Sequence, residues 1–148
     1  MKKTVLPVSF FLGANNSAGY CSLFGELYNP FEEGNHIILK GGPGTGKSTL
    51  MKKLAEKGER LGYFTERGYC SADPSSLDSV FIPEINFSVF DGTAPHTFEP
   101  RMTGINEHIV DLGVAWNRKS LKKHSEEIGK LMQENALQHR RAAEFLRV

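Results

Sequence analysis

The fold of this chain is decided by the stretch His36-Ile37-Ile38-Leu39-Lys40-Gly41-Gly42-Pro43-Gly44-Thr45-Gly46-Lys47-Ser48-Thr49. Residues 36–40 form a short, largely apolar run without alternation, which is typical of a parallel strand buried on both faces. After the glycines, apolar residues recur at helical spacing and predict a helix over residues 47–61. Gly62 then stands where a helix C-terminus favours glycine. A buried strand, a tight loop and an amphipathic helix therefore follow each other directly.

The loop between this strand and this helix matches the pattern G-x-x-x-x-G-K-[ST] at every fixed position, from Gly41 to Ser48. Glycines permit backbone torsions closed to other residues, and they let successive N–H groups turn inward as an anion-binding nest. The positive end of the following helix adds to the attraction for phosphate. We therefore predict a triphosphate site made of Gly41, Gly42, Pro43, Gly44, Thr45, Gly46, Lys47, Ser48 and Thr49.

Three side chains of the loop have separate predicted roles. Lys47 is placed to reach the β- and γ-phosphates as a point charge, and Thr49 can donate to the α-phosphate. The Ser48 hydroxyl is a suitable Mg²⁺ ligand, with phosphate oxygens and water filling most other positions. The predicted cofactors are therefore ATP and Mg²⁺.

Gly-Gly-Pro-Gly-Thr-Gly-Lys-Ser-Thr, with its flanking strand and helix, resembles the P-loop NTPase superfamily. The loop is similar to those of AAA-type ATPases and many P-loop kinases. The stretches 70–82 and 91–96 also resemble a poorly characterised family of bacterial tandem P-loop ATPases, whose members are longer than this chain. The resemblance implies an α/β domain of three layers around a parallel sheet.

P-loop proteins also need a carboxylate at the end of a neighbouring strand to hold a water of the Mg²⁺ shell. The run 85–90 ends at Asp91, which we predict to be this acid. Motor ATPases of the superfamily place a Glu directly after it, whereas this chain has Gly92. That departure argues against fast hydrolysis and is compatible with a kinase. The motifs of Ras-like GTPases and of ABC ATPases are absent.

Four further residues are weaker candidates for chemistry. Asp73 follows the second predicted core strand and is a candidate base or substrate contact, although Asp-Pro-Ser-Ser is also common turn chemistry. His96 follows Asp91 by five residues and is a candidate near the γ-phosphate. Arg101 and Arg118 are candidates to place positive charge on a transferring phosphoryl group.

The rest of the chain is predicted less sharply. A strand over 5–12, with Pro7 favouring a sheet edge, precedes a loop over 13–19. A short helix is expected within 20–27, a strand over 63–70, a polar loop over 71–78 and a loop over 93–104. Only three good core strands result, fewer than the five or more usual in such sheets, so we expect part of a longer protein. Residues 1–104 are predicted as the nucleotide-binding core.

Residues 105–148 are predicted as a C-terminal helical extension, either one long helix or a helical hairpin. The basic end of the chain, with eight Lys/Arg and four Asp/Glu over residues 117–148, suggests a surface for an anionic or protein partner. A solvated helix face is the simpler explanation. Nucleic acid is therefore not the partner we favour.

The composition of the chain indicates the general class of protein. With 39% hydrophobic and 24% charged residues the chain has the balance of a globular domain. No apolar run approaches the length that crosses a bilayer, so we expect no membrane association and, with ATP as ligand, a cytoplasmic location. The leading function is an ATPase with low intrinsic turnover. A small-molecule or nucleotide kinase and a non-catalytic nucleotide-binding module remain as alternatives.

Overall fold

The computed structural model describes residues 6–17, 19–94 and 98–146. These residues form eight strands and three α-helices, in addition to short 3-10 turns. The strands are β1 (Val8–Phe11), β2 (Gly13–Asn16), β3 (Gly19–Ser22), β4 (Asn35–Lys40), β5 (Glu66–Tyr69), β6 (Leu77–Ile82), β7 (Phe87–Asp91) and β8 (Glu107–Asp111). The helices are α1 (Lys47–Leu61), α2 (Arg118–Lys123) and α3 (Ser125–Phe145).

Six of the strands form one mixed sheet in the order β1-β5-β6-β7-β4-β8. β7 and β8 both pair in parallel with β4, and β1 pairs in parallel with β5. β6 is antiparallel to both of its neighbours. Five strands therefore run in one direction and one runs against them, which makes the central sheet mostly parallel.

The two faces of this sheet are covered differently. On one face α1 packs against the strands and buries Met51 and Ala55 with Leu39 and Val89. On the other face an aromatic cluster of Phe24, Tyr28, Phe90 and half-buried Phe98 takes the place of a helix. The α/β class with a C-terminal helix follows from these elements.

The structure confirms the strand and the helix that were predicted on either side of the glycine loop. The predicted strand at 36–40 is β4, and α1 has the predicted bounds of residues 47–61. Gly62 adopts a left-handed φ of 95° and donates its N–H to carbonyls of the last helical turn. β1 lies at the sheet edge that Pro7 favoured. The local pattern was sufficient here because capping and periodicity agree.

Predictions nearer the ends of the core were wrong or only partly right. Residues 13–16 and 19–22 form the antiparallel hairpin β2–β3 in place of the predicted loop. The short helix expected within 20–27 is present only as the 3-10 turn Phe24–Glu26, which follows β3. The polar loop predicted over 71–78 ends earlier, because β6 begins at Leu77. β6 is central in the sheet and buries Asp78 and Ser79 along with its apolar residues. Because these polar residues interrupt the apolar pattern, the sequence did not predict this strand.

The C-terminal prediction was also wrong in part. Residues 107–111, expected to be helical, form β8 at the edge of the sheet beside β4. The helices begin only at Arg118. α2 and α3 are separated by His124 alone, which is shorter than the loop that a helical hairpin requires. α3 has no buried residue.

The prediction of only three core strands was too low, since the sheet contains six. The parallel sheet that we expected is interrupted by β6. Within the described part of the chain, no helix is both long enough and apolar enough to cross a membrane.

Candidate functional site

The glycine loop and Asp91 meet at one edge of the sheet. β4 and β7 are parallel neighbours, and Leu39 is paired with Asp91 in their register. Both strands therefore end at the same level, where β4 runs into the loop and α1. Side chains that follow parallel strands gather at this carboxyl edge, which is the usual ligand crevice of such sheets.

The loop backbone has the torsions for which glycine was expected. Gly41, Gly44 and Gly46 have φ values of 148°, 78° and 88°. The Thr45 hydroxyl donates to the Gly42 carbonyl at 2.9 Å and tightens the turn. Gly46 precedes α1 and brings no side-chain cap to the helix N-terminus. The first N–H groups of α1 are therefore available to an anion.

Lys47 is folded back over the loop toward Asp91. Its ammonium group donates to the carbonyl oxygens of Gly41 and Gly42, the latter at 3.1 Å. The same Nζ lies 3.5 Å from Asp91 Oδ2, and both side chains are nearly buried. Thr93 completes the cluster, since its N–H donates to Asp91 Oδ1 at 2.8 Å and its hydroxyl to the Gly41 carbonyl at 2.9 Å. The structure thus brings the predicted lysine and carboxylate together.

Ser48 and Asp91 fit the hard oxygen chemistry of Mg²⁺, but they do not make a complete site. The Ser48 hydroxyl accepts from the Leu77 N–H at 2.9 Å, which leaves its second lone pair for a cation. No group of three or more His, Cys, Asp or Glu side chains suited to a metal occurs among the described residues. A Mg²⁺ ion here would depend on phosphate oxygens and water for its other ligands.

The position after Asp91 has no room for a side chain. A Cβ built on Gly92 would lie 2.4 Å from Ile38 Cγ2 and 3.2 Å from the Phe98 carbonyl oxygen. The Lys40 ammonium closes the remaining side, because it donates to the Gly92 carbonyl at 2.8 Å and to Glu99 at 2.6 Å. The glutamate that motor ATPases carry at this point is therefore sterically excluded from the present packing.

Asp73 is not part of the cluster around Lys47. Its carboxylate accepts from the hydroxyls of Ser75 and Ser76, each at 2.6 Å, and from the Ser75 N–H. These hydrogen bonds lower the pKa of Asp73, which weakens it as a base. Its contacts are those of a polar turn, while Lys52 of α1 donates to the Ser75 carbonyl beside it. His96 lies outside the described residues.

The two arginine candidates occupy different places. Arg101 lies over the Tyr28 ring, with 5.8 Å from its Cζ to the ring centroid. Tyr28 stacks on His36 at the start of β4, so Arg101 is at the end of the sheet opposite the loop. Arg118 is exposed at the first position of α2. The expectation that Arg101 could act at the phosphates was wrong.

Two contacts of the loop were not foreseen. Thr93 was taken only as the start of a loop, and Trp116 was not singled out. A Cβ on Gly42 would lie 2.7 Å from Trp116 Cη2, so the indole rests directly on the loop. Trp116 is distant in sequence, and its approach depends on β8, which the pattern did not predict.

Comparison of the chain with known protein families, with curated proteins and with solved structures gave no match. The resemblance to P-loop NTPases therefore rests on the motif and its setting.

Proposed function

We propose that this chain is a P-loop protein that binds ATP with Mg²⁺ and hydrolyses it slowly. The observation that carries the proposal is the position of Lys47. Its ammonium group is held at the carbonyls of Gly41 and Gly42 and 3.5 Å from Asp91, at the uncapped N-terminus of α1. A nearly buried cation beside a helix N-terminus without a side-chain cap is an arrangement that favours polyphosphate.

Each group of the cluster has a role in this proposal. The N–H groups of the loop and of the first turn of α1 hold the phosphates. Lys47 neutralises charge on the β- and γ-phosphates, for which it exchanges its backbone carbonyl partners. Ser48 would supply one oxygen to Mg²⁺. Asp91, whose carboxylate is held in position by the Thr93 N–H, would orient a water of the metal shell.

Slow turnover follows from the packing around Gly92. Hydrolysis needs a group that orients or deprotonates the attacking water. The usual place for that carboxylate is filled by Ile38, Phe98 and Lys40. We therefore expect Mg-ATP to bind tightly and to be hydrolysed slowly.

The same observation favours a second candidate, a kinase for a small molecule or nucleotide. A phosphotransferase needs no water-orienting carboxylate, because the nucleophile comes with the substrate. Release of inorganic phosphate that is unaffected by any added metabolite, with no phosphorylated product, would exclude this candidate.

The decisive experiment is binding of Mg-ATP to the Lys47→Ala variant, measured by calorimetry. Removal of a nearly buried charge partner is expected to weaken binding about a hundredfold. Lys53→Ala is the matched control, because Lys53 is exposed on the same helix, and it should bind as the wild type does. Asp91→Asn should retain binding and lose Mg²⁺-dependent turnover. Equal affinity of Lys47→Ala and wild type would refute the proposal.

A further inference from the structure

Trp116 lies against the first half of the phosphate loop. A Cβ on Gly42 would lie 2.7 Å from Cη2 and 2.8 Å from Cζ2 of the indole. Because residue 42 is a glycine, the indole can approach the backbone of the loop at this point. Trp116 is 40% exposed, so part of the residue contacts the loop and part borders solvent.

The approach of Trp116 is fixed by the segment that carries it. β8 is parallel to β4 and pairs Asp111 with Lys40, so the chain after β8 emerges at the same edge as the loop. Asp111 Oδ1 accepts from the Gly113 N–H at 2.7 Å. The backbone N–H of Trp116 donates to the Gly113 carbonyl at 3.1 Å. These bonds hold the short 3-10 turn that ends at the tryptophan.

This contact is at the end of the loop where the terminal phosphates would bind. The Lys47 ammonium donates to the Gly42 carbonyl at 3.1 Å, and the lysine of such loops reaches the β- and γ-phosphates. Gly42 is therefore next to the cation that marks the terminal end. The α-phosphate belongs at the other end, beside Ser48 and Thr49.

The indole carries a hydrogen-bond donor next to the edge that contacts the loop. The contact with Gly42 is made by Cη2 and Cζ2 of the six-membered ring, and Nε1 is bonded to Cε2, the atom next to Cζ2, so the N–H group lies beside the contacting edge. In the part of the chain that the structure describes, the indole N–H has no hydrogen-bond partner. Tryptophan can only donate through this nitrogen, and a phosphate oxygen is an acceptor that suits it.

We propose that the indole N–H of Trp116 donates to an oxygen of the terminal phosphate and so distinguishes a nucleoside triphosphate from a diphosphate. The inference rests on the proposed function and assigns a binding residue to that site. It concerns recognition of the third phosphate only.

The test is calorimetric binding of Mg-ATP and Mg-ADP to the full chain and to Trp116→Phe. Phenylalanine keeps an aromatic ring over Gly42 and removes the donor. We expect Mg-ATP to bind about tenfold more weakly to the variant, as for loss of a hydrogen bond to a charged group, with Mg-ADP affinity unchanged. Unchanged Mg-ATP affinity, or equal weakening of both ligands, would overturn the inference.

A second measurement does not depend on the variant folding. Trp116 is the single tryptophan of the chain, so the intrinsic indole fluorescence of the wild type reports on this site alone. Mg-ATP should change the emission more than Mg-ADP does at saturation. Identical emission with both ligands, at concentrations where calorimetry records binding, would contradict the inference while leaving the proposed function intact. Failure of the wild type to bind Mg-ATP at all would instead refute the proposed function, and the inference with it.

Discussion

At the scale of single residues, Gly92 shows how packing limits chemistry. It directly follows Asp91 and is buried between Ile38, Phe98 and the Lys40 side chain. The sequence indicated only that a glutamate was missing there. In the folded protein a side chain of any size at this position would collide with Ile38 of β4, so the packing at the end of β7 requires glycine.

We expect Gly92→Ala to lower the free energy of unfolding by about 1–3 kcal/mol, the usual cost of overpacking a core. The new methyl group would meet Ile38 Cγ2 at 2.4 Å. Gly25→Ala is the matched control, because a Cβ there has Phe98 Cε2 as its nearest neighbour at an ordinary 3.8 Å. Urea denaturation of both variants measures the difference. Equal stability of the two would show that β4 yields easily at this point.

At the scale of elements, the helices α1 and α3 differ sharply in how they contact the rest of the molecule. α1 buries Met51, Ala55 and Gly58 against the sheet. α3 is longer but has no buried residue, and its apolar side chains are largely exposed. The stability of the domain should therefore depend on α1 far more than on α3.

A matched pair of methionines tests this contrast. Met51 in α1 is 0% exposed and Met132 in α3 is 68% exposed. Met51→Ala is expected to lower the free energy of unfolding by about 2–5 kcal/mol through lost burial and the cavity left behind. Met132→Ala should change it by less than about 0.5 kcal/mol. Thermal denaturation followed by circular dichroism compares them, and a comparable loss for Met132→Ala would mean that α3 packs on the domain in solution.

The elements that could be predicted are those whose signals are local. β4 and α1 combine an apolar run, a glycine loop and a glycine C-cap within residues 36–62. β6 could not be recognised, since the buried polar residues Asp78 and Ser79 interrupt its apolar pattern. β8 was missed for a related reason: its exposed residues at the sheet edge give no buried-strand pattern.

At the scale of the whole molecule, the candidate site also consists of parts with a local sequence signal and parts that depend on contacts between distant segments. The loop and Asp91 could be located because each follows an apolar strand, and parallel strands end at one edge. Thr93 and Trp116 could not be, because their contacts with Gly41 and Gly42 join segments distant in sequence. The ligand itself remains a prediction from the motif.

The far end of the sheet joins distant segments through a buried polar network. The Tyr28 hydroxyl donates to Glu107, whose other oxygen accepts from the Met102 N–H. His36 stacks on Tyr28 and hydrogen bonds through Nδ1 to the Ser88 hydroxyl at 2.7 Å. His36 and Glu107 are completely buried. The network therefore ties β4, β7 and β8 to the segment that covers one face.

Burial lowers the pKa of His36, although the nearby Glu107 partly opposes this. Its Nε2 is buried and has no hydrogen-bond partner in the described part of the chain, so a proton there would find no acceptor. The folded protein therefore binds a proton at His36 less readily than the unfolded chain does, in which the imidazole has its ordinary pKa of 6.5. Since the unfolded state binds more protons, stability must fall as the pH decreases below that value.

We expect the free energy of unfolding to decrease below pH 6.5 by up to about 1.4 kcal/mol per pH unit from this one group. Urea denaturation between pH 7.5 and about pH 5 measures the slope. Carboxyl groups add their own dependence in acid, so the informative quantity is the difference from His36→Phe, which keeps a ring beside Tyr28 and removes the titration. His139→Phe, at an exposed position of α3, is the matched control and should keep the wild-type slope. Equal slopes for His36→Phe and wild type would mean that His36 binds a proton as readily in the folded protein as in the unfolded chain, and that the network at the amino ends of β4 and β8 accommodates the charge.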